Sequence, residues 1–301
     1  MKQIENKVAF VTGAASGVGY GMAQAFLEAG MKVIAADIRP DALAAAGDRL
    51  QADETRLRTM IVDVSDEAAM IDAADKAAAM FGKVHVVCNN AGVNLFNPTP
   101  IEEADQRDWE WLLGVNLFGV VHGVKAFAPI LKAQGEGGHI VNTGSMSSFI
   151  TGPGAGIYSA AKFAVHGYTN VLRYSMAEHG VGVSLLCPGL VDSDIYKSHL
   201  VRPSDLDTAS NSVAPETVER IAVVQRNGMA PIEVGRKVLA GIRANAHFIL
   251  PHPEFREELQ EIFEEIVASL PDEQPPEERF AFEEMRRAAK RQAQLKVDAL
   301  G

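Results

Sequence analysis

Short apolar runs alternate with helix-patterned stretches along most of this 301-residue chain, and that rhythm restricts the fold more than any other feature. Lys7–Thr12, Lys32–Asp37, Leu57–Asp63, Val84–Cys88, Gly138–Thr143, Val181–Cys187 and His247–Leu250 read as strands. Gly17–Ala29, Asp41–Ala52, Glu67–Phe81, Asp105–Ala133, Ser159–His179 and Pro231–Asn245 read as helices. Strands separated by helices close as right-handed crossovers onto one parallel sheet. Val84–Cys88 and Val181–Cys187 are apolar almost throughout, which suits strands covered on both faces. The expected fold is α/β, a doubly wound parallel sheet of about seven strands with helices on both faces. Residues 1–250 are expected to form one domain, and residues 251–301 a helical extension.

Two segments break the rhythm. Leu190–Ala230 carries few periodic cues, with Pro203, Pro215 and many Ser, Asp and Asn, and reads as a long functional loop. After Pro251, Phe255, Leu259, Ile262, Phe263 and Ile266 recur at helical spacing. Pro271–Pro276 breaks that helix, and Phe280, Phe282 and Met285 begin a second one. Such an arm packs on its own subunit, or covers the substrate pocket or a neighbour.

Charge narrows the partners. A net charge of −11 argues against nucleic acid or an anionic membrane. The polar start, Met1–Lys7, has no signal-like apolar region, and no later stretch reads as long enough to span a bilayer, so a cytoplasmic protein is expected. The two cysteines, Cys88 and Cys187, each end an apolar run and read as buried free thiols. The eight histidines are scattered, and no cluster has metal-ligand spacing.

The chemistry gathers at strand ends. The first strand runs into Thr12-Gly13-Ala14-Ala15-Ser16-Gly17-Val18-Gly19, followed by a helix. Glycines there let backbone approach a pyrophosphate, and the positive helix end attracts it. Asp37 closes the second strand, where a carboxylate accepts from both adenosine ribose hydroxyls and repels a 2′-phosphate. NAD is therefore favoured over NADP, although Arg39 lies close enough to blunt the repulsion. Asp63 ends the third strand, placed to bond an adenine amino group, and Asn89-Asn90-Ala91-Gly92 ends the fourth with small residues and loop-tying amides. Tyr158 and Lys162 stand four apart at a helix start, so phenol and ammonium share one face. A nearby cation should lower the phenol's pKa and ready it for proton exchange.

Taken in order, the Thr12–Gly19 loop, Asp63, Asn89–Gly92, Asn116, Ser145, Tyr158, Lys162 and Pro188-Gly189-Leu190-Val191-Asp192-Ser193 resemble the short-chain dehydrogenases/reductases over Lys7 to about Leu250. The resemblance implies a Rossmann-type fold and the catalytic set Asn116, Ser145, Tyr158 and Lys162. Tyr158 would exchange a proton with the substrate oxygen, and Ser145 would stabilise that oxygen. Lys162 would hold the nicotinamide ribose, and Asn116 would interrupt its helix and hold a water linked to Lys162. Together with the charge argument at Asp37 and Arg39, the resemblance gives an expected cofactor site of Gly13, Ser16, Gly17, Val18, Gly19, Asp37, Arg39, Asp63, Val64, Asn90, Ala91, Gly92, Tyr158, Lys162, Pro188, Gly189, Val191 and Ser193. Ser193 stands where the family usually has threonine, and either hydroxyl can bond the carboxamide. Family members associate through the helices after the fourth and fifth strands, implying a homodimer or homotetramer.

The substrate pocket is expected from Val93–Leu95, Met146–Phe149, Leu190 and the 192–230 segment. Its apolar members, with Ile195 and Tyr196, suggest an apolar or aromatic alcohol or ketone. The C-terminal stretch from Ile249 resembles a bacterial subgroup that oxidises benzylic alcohols of lignin-derived aryl ethers. Competing readings are an NADPH-linked ketoreductase using Arg39, and a chemically silent dinucleotide-binding regulatory protein. Intact Ser145, Tyr158 and Lys162 weigh against the second.

Overall fold

Strand β1 (Val8–Thr12) alternates its side chains between two cores. Val8 and Phe10 join one, and Ala9 and Val11 the other. In the computed structural model, which describes residues 1–96, 99–152 and 154–301, this strand lies inside a seven-stranded parallel sheet. Its order is β3-β2-β1-β4-β5-β6-β7. The other strands are β2 (Lys32–Asp37), β3 (Leu57–Ile61), β4 (Val86–Asn89), β5 (Gly138–Thr143), β6 (Val181–Leu186) and β7 (Phe248–Ile249). Helices α1 (Gly17–Glu28) and α8 (Pro231–Arg243) bury apolar residues with one core. Helices α3 (Glu67–Phe81), α5 (Gly119–Gln134) and α6 (Gly156–Ala177) do so with the other. Helix α2 (Pro40–Leu50) follows β2 and adds Leu43 to the first core. The strand order reverses between β1 and β4, and at such a switch point a parallel sheet opens a crevice beyond its carboxyl ends.

The helix expected over Asp105–Ala133 is built in three parts. Helix α4 (Gln106–Leu113) passes into a π-helical turn, Gly114–Phe118, and then into α5. Contrary to the expectation of no span-length stretch, Gln106–Gln134 is long and apolar enough to cross a membrane by length and composition. Its apolar side chains have another partner: Val120, Val124, Phe127 and Leu131 are buried within the fold.

The segment 190–230 also differs from a plain loop. It holds 3₁₀ turns and a helix, α7 (Pro215–Arg226). Pro215 sits in the first turn of α7, where its fixed φ and missing N–H suit a helix start. Read as a breaker, it hid the helix. Two further helices, α9 (Arg256–Ala268) and α10 (Glu277–Asp298), complete the chain. Helix α10 returns to the body at its far end, where Val297 is buried and its carbonyl accepts from Asn245 Nδ2 at 3.0 Å.

Candidate active site

The cleft begins at the turn after β1. Gly13 and Gly17 have φ of +66° and +52°, the left-handed region where a side chain would be strained. Thr12 holds this turn to the next strand across the switch point. Its Oγ1 accepts from the amides of Asn90 at 2.9 Å and Ala91 at 3.0 Å. Asn90 completes the tie: its Nδ2 donates to Thr12 O at 2.9 Å, and its Oδ1 accepts from Thr143 Oγ1 at 3.3 Å. The ends of β1, β4 and β5 are thus bound into one floor.

Asp37, only 5% exposed, closes β2 beside that floor. Its Oδ2 accepts from the Ala15 amide at 3.1 Å, and its Oδ1 from Arg39 Nε at 3.0 Å. Arg39 also reaches across to Ser16 Oγ at 3.3 Å. Asp63 lies past the end of β3, with Oδ1 engaged by the Ser65 amide at 2.9 Å and Oγ at 2.7 Å.

On the other side of the switch point, Ser145, Tyr158 and Lys162 converge. Ser145 follows β5 and caps a short turn, and its hydroxyl hydrogen-bonds the Tyr158 phenol. Lys162 stands one helical turn beyond Tyr158, its Nζ 5.5 Å from the centroid of the phenol ring. That ammonium is buried and donates to Thr143 O at 2.9 Å. Burial pulls the Lys162 pKa down to about 8, so it keeps most of its charge at neutral pH. The phenol contradicts the sequence expectation. Desolvation holds Tyr158 above its ordinary value, and the hydrogen bond from Ser145 offsets this only in part.

Asn116, fully buried in the π turn, brackets the same corner. Its Oδ1 accepts from the Val93 amide and its Nδ2 donates to Val93 O, both at 2.9 Å. A Cβ on Gly92 would sit 3.0 Å from Asn116 Oδ1 and 3.7 Å from Lys162 Nζ. Only glycine leaves that space open.

One cleft of about 300 Å³ is lined by Gly13, Ser16, Gly17, Val18, Asp37, Arg39, Asp63, Val64, Asn90, Ala91, Gly92, Ser145, Tyr158, Lys162, Pro188, Gly189, Val191 and Ser193. Gly19 and Asn116 stand behind this wall. A Cβ on Gly19 would come within 2.2 Å of Gly13 O, so its role is close packing of helix on loop.

The substrate half departs from the sequence reading. Val93, Asn94, Leu190 and Ile195 line the cleft, but Met146, Phe149 and Tyr196 do not. The turn after Ser145 drives Met146 inward against Val165, Leu185 and Cys187, with Phe149 packed beside them. Trp111, Val115 and Val201 take their place. Arg202, within the 190–230 segment, is buried and ion-paired with Asp108 at 2.6 Å. Its guanidinium lies 4.9 Å from the centre of the Trp111 ring. Asp108 also accepts from Thr208 Oγ1 at 2.8 Å and Ser210 Oγ at 2.7 Å. Nothing in the sequence marked this knot, because its members pair only once α4 meets the 200–210 turns. Thr12 was read only as the start of the glycine loop and given no role of its own, although a hydroxyl ending a strand before a glycine turn is a usable signal. Cys88 and Cys187 are buried free thiols, as expected.

Comparison with known proteins agrees with this geometry. A family model described as short chain dehydrogenase matches residues 7–201. A C alpha-dehydrogenase of Sphingobium sp. (strain NBRC 103272 / SYK-6) is 36% identical over 279 residues, covering 92% of this chain and 91% of the relative. A solved short-chain dehydrogenase from Novosphingobium aromaticivorans superposes with a TM-score of 0.84 at 38% identity, over 99% of this chain and 100% of that one. A Burkholderia phymatum short-chain dehydrogenase/reductase, solved in complex with NAD, gives 0.82 at 35% identity, over 92% and 99%. The sheet order, the strand-end site and these similarities agree that the chain belongs to the short-chain dehydrogenase family of oxidoreductases, which work with a nicotinamide cofactor.

Proposed function

We propose that the protein is an NAD-dependent oxidoreductase that moves a hydride between the nicotinamide and a secondary alcohol or its ketone, with an apolar, aromatic and benzylic substrate. The observation that carries this reading is one cleft in which Ser145, Tyr158 and Lys162 meet an apolar wall of Val93, Trp111, Val115, Ile195 and Val201. When bound, the nicotinamide supplies the hydride chemistry. The residues supply position and proton traffic. Ser145 Oγ holds the substrate oxygen and favours its anionic character. As a phenolate, Tyr158 Oη would take the alcohol proton in oxidation, and as a phenol it would give that proton back in reduction; the positive charge of the oxidised nicotinamide would favour the phenolate. Lys162 holds the nicotinamide ribose and adds positive charge beside the phenol. Asn116, across Gly92 from Lys162 Nζ, supports a water-borne proton route from that ammonium.

A buried Asp37 carboxylate at the end of β2 supports NAD. The NADPH-linked ketoreductase is kept as a second reading because Arg39 reaches Ser16 at the mouth of the glycine loop, where an added phosphate would lie. Likeness to a C alpha-dehydrogenase directs the substrate search to benzylic alcohols. We also read residues 1–250 as the catalytic domain, 190–230 as its substrate segment and 251–301 as an appended extension. Exposed Phe118 near the start of α5, with Phe163 and Val171 on α6, supports a homodimer or homotetramer joined through those helices.

The test follows nicotinamide absorbance with secondary benzylic alcohols plus NAD or NADP, and with aryl ketones plus the reduced cofactors. The expected result is turnover with NAD, faster on aryl than on short aliphatic alcohols. Faster turnover with NADP would move the assignment to the second reading. No turnover with either cofactor in either direction would overturn both.

A further inference from the structure

The loop Pro188–Ser193 lines the cleft on the Tyr158 side, and what holds it is not all in the sheet body. His252, the second residue beyond the 1–250 region, is buried against it. Its Nδ1 accepts from the Gly189 amide at 3.0 Å. That acceptance leaves the ring proton on Nε2, which donates to Leu190 O at 3.0 Å. One imidazole therefore bridges two consecutive residues of the loop. Phe255 reinforces it: a Cβ on Gly189 would sit 2.5 Å from the Phe255 ring and 3.1 Å from His252 Cγ. The two rings meet edge to face, with centroids 6.3 Å apart. From the opposite side, the Met229 amide donates to the same Leu190 O at 2.9 Å, and the Asp192 amide donates to Met229 O at 3.1 Å.

We infer that His252, at the root of the C-terminal extension, is a positioning residue for the Pro188–Ser193 loop, setting the affinity of the site for the nicotinamide half of the cofactor. The inference rests on the dinucleotide reading above and extends it to a residue outside the catalytic body. Without the imidazole, the part-buried Gly189 amide loses its acceptor, and the loop loses its tie to the start of the extension. The adenosine half depends instead on Gly13–Gly17 and Asp37, on the other side of the switch point.

Two probes separate these halves: NAD, which spans the cleft, and ADP-ribose, which lacks the nicotinamide. Both are titrated calorimetrically into wild type and three variants, with thermal melting recorded alongside. His252→Ala should weaken NAD roughly tenfold, the size of one lost hydrogen bond, and leave ADP-ribose within about twofold. His252→Asn places an amide oxygen where Nδ1 stood and should recover most of the affinity. His252→Phe fills the space without an acceptor and should not. Unchanged NAD affinity in His252→Ala overturns the inference, as does an equal loss for both probes or rescue by Phe. A wild-type protein that binds neither probe would instead bring down the dinucleotide reading itself.

Discussion

Helix α1 in the sheet body buries eight of its twelve residues, whereas α9 in the extension buries none and α10 only Val297. Both regions show apolar residues at helical spacing. In the body that spacing meets a sheet, so Met22, Ala23, Phe26 and Leu27 vanish into the core. In the extension, Phe263, Ile266, Val267 and Leu270 recur with the same period and stay more than half exposed. Periodicity states which face of a helix wants a partner, and the rest of the chain decides whether it gets one. The extension touches the body at two roots. His252, Phe255 and Leu259 lie by the Pro188–Ser193 loop and the Met146 cluster, and Val297 and Lys296 meet Asn245 and Glu178. A change in the body should therefore disturb function or stability strongly, and a change between the roots very little.

The largest effect is expected at the centre of the body. Tyr158→Phe keeps the ring and its packing but removes the phenol hydroxyl at the Ser145–Lys162 corner of the cleft. Turnover should fall about 100- to 10,000-fold, the usual weight of a positioned acid/base group, with NAD affinity and melting temperature preserved. Steady-state rates and calorimetric binding check this. A wild-type rate would detach the geometry from the chemistry.

Next comes the knot under the substrate wall. Arg202→Ala leaves the Asp108 carboxylate buried beside Thr208 and Ser210 without its cation. Stranding one member of a buried ion pair costs about 3–5 kcal/mol. Urea unfolding should show that loss, and the apolar wall at Trp111 and Val201 should loosen with it. A loss below about 1 kcal/mol, the range of exposed pairs, would mean the knot is solvated.

A smaller effect separates the two regions by pH. Burial holds His139 down at about 3 and His247 at about 4. In the unfolded chain both take a proton near 6.5. Between those values the unfolded state binds more protons than the folded one. The stability contribution is therefore complete above pH 6.5 and is lost as pH falls toward 4 and then 3. Each histidine can contribute a slope of at most about 1.4 kcal/mol per pH unit. In the extension, Arg286 and Arg287 hold the Glu283 carboxyl down at about 2, but on an exposed surface where water screens the gain. His139→Gln should flatten the acid limb of a stability–pH curve, and Glu283→Gln should leave it in place. The reverse pattern would invert the comparison.

The strand ends were readable because each carries a residue whose chemistry depends on its local position. Glycines with positive φ, a carboxylate closing β2 and a Tyr–Lys pair one turn apart are all encoded within a few residues. What sequence did not reveal depends on partners distant in the chain. Asp108 and Arg202 are unremarkable until α4 meets the 200–210 turns. Met146 and Phe149 were assigned to the pocket because they follow Ser145, yet a capped turn directs Met146 inward. Helix α7 was hidden by its own Pro215, and with only Ala222 buried its apolar pattern is faint. The tuning of Tyr158 was misjudged for a similar reason: an i, i+4 spacing reveals the cation but not the burial that holds the phenol up.

The smallest effect tests the extension between its roots. Phe282 is 66% exposed on α10, and Phe263 is 52% exposed on α9. Neither side chain buries enough apolar area within its own chain for truncation to leave a cavity. Phe282→Ser should change unfolding free energy by no more than about 0.5 kcal/mol, as surface substitutions away from special features do. Thermal and urea melts at low protein concentration read that term alone. Repeating them at high concentration adds any association, because a partner that binds only the folded state raises apparent stability by mass action. A cost of several kcal/mol that grows with concentration would give these aromatic rings a partner in a second copy. The extension would then differ from the body in where its partner lies rather than in having none.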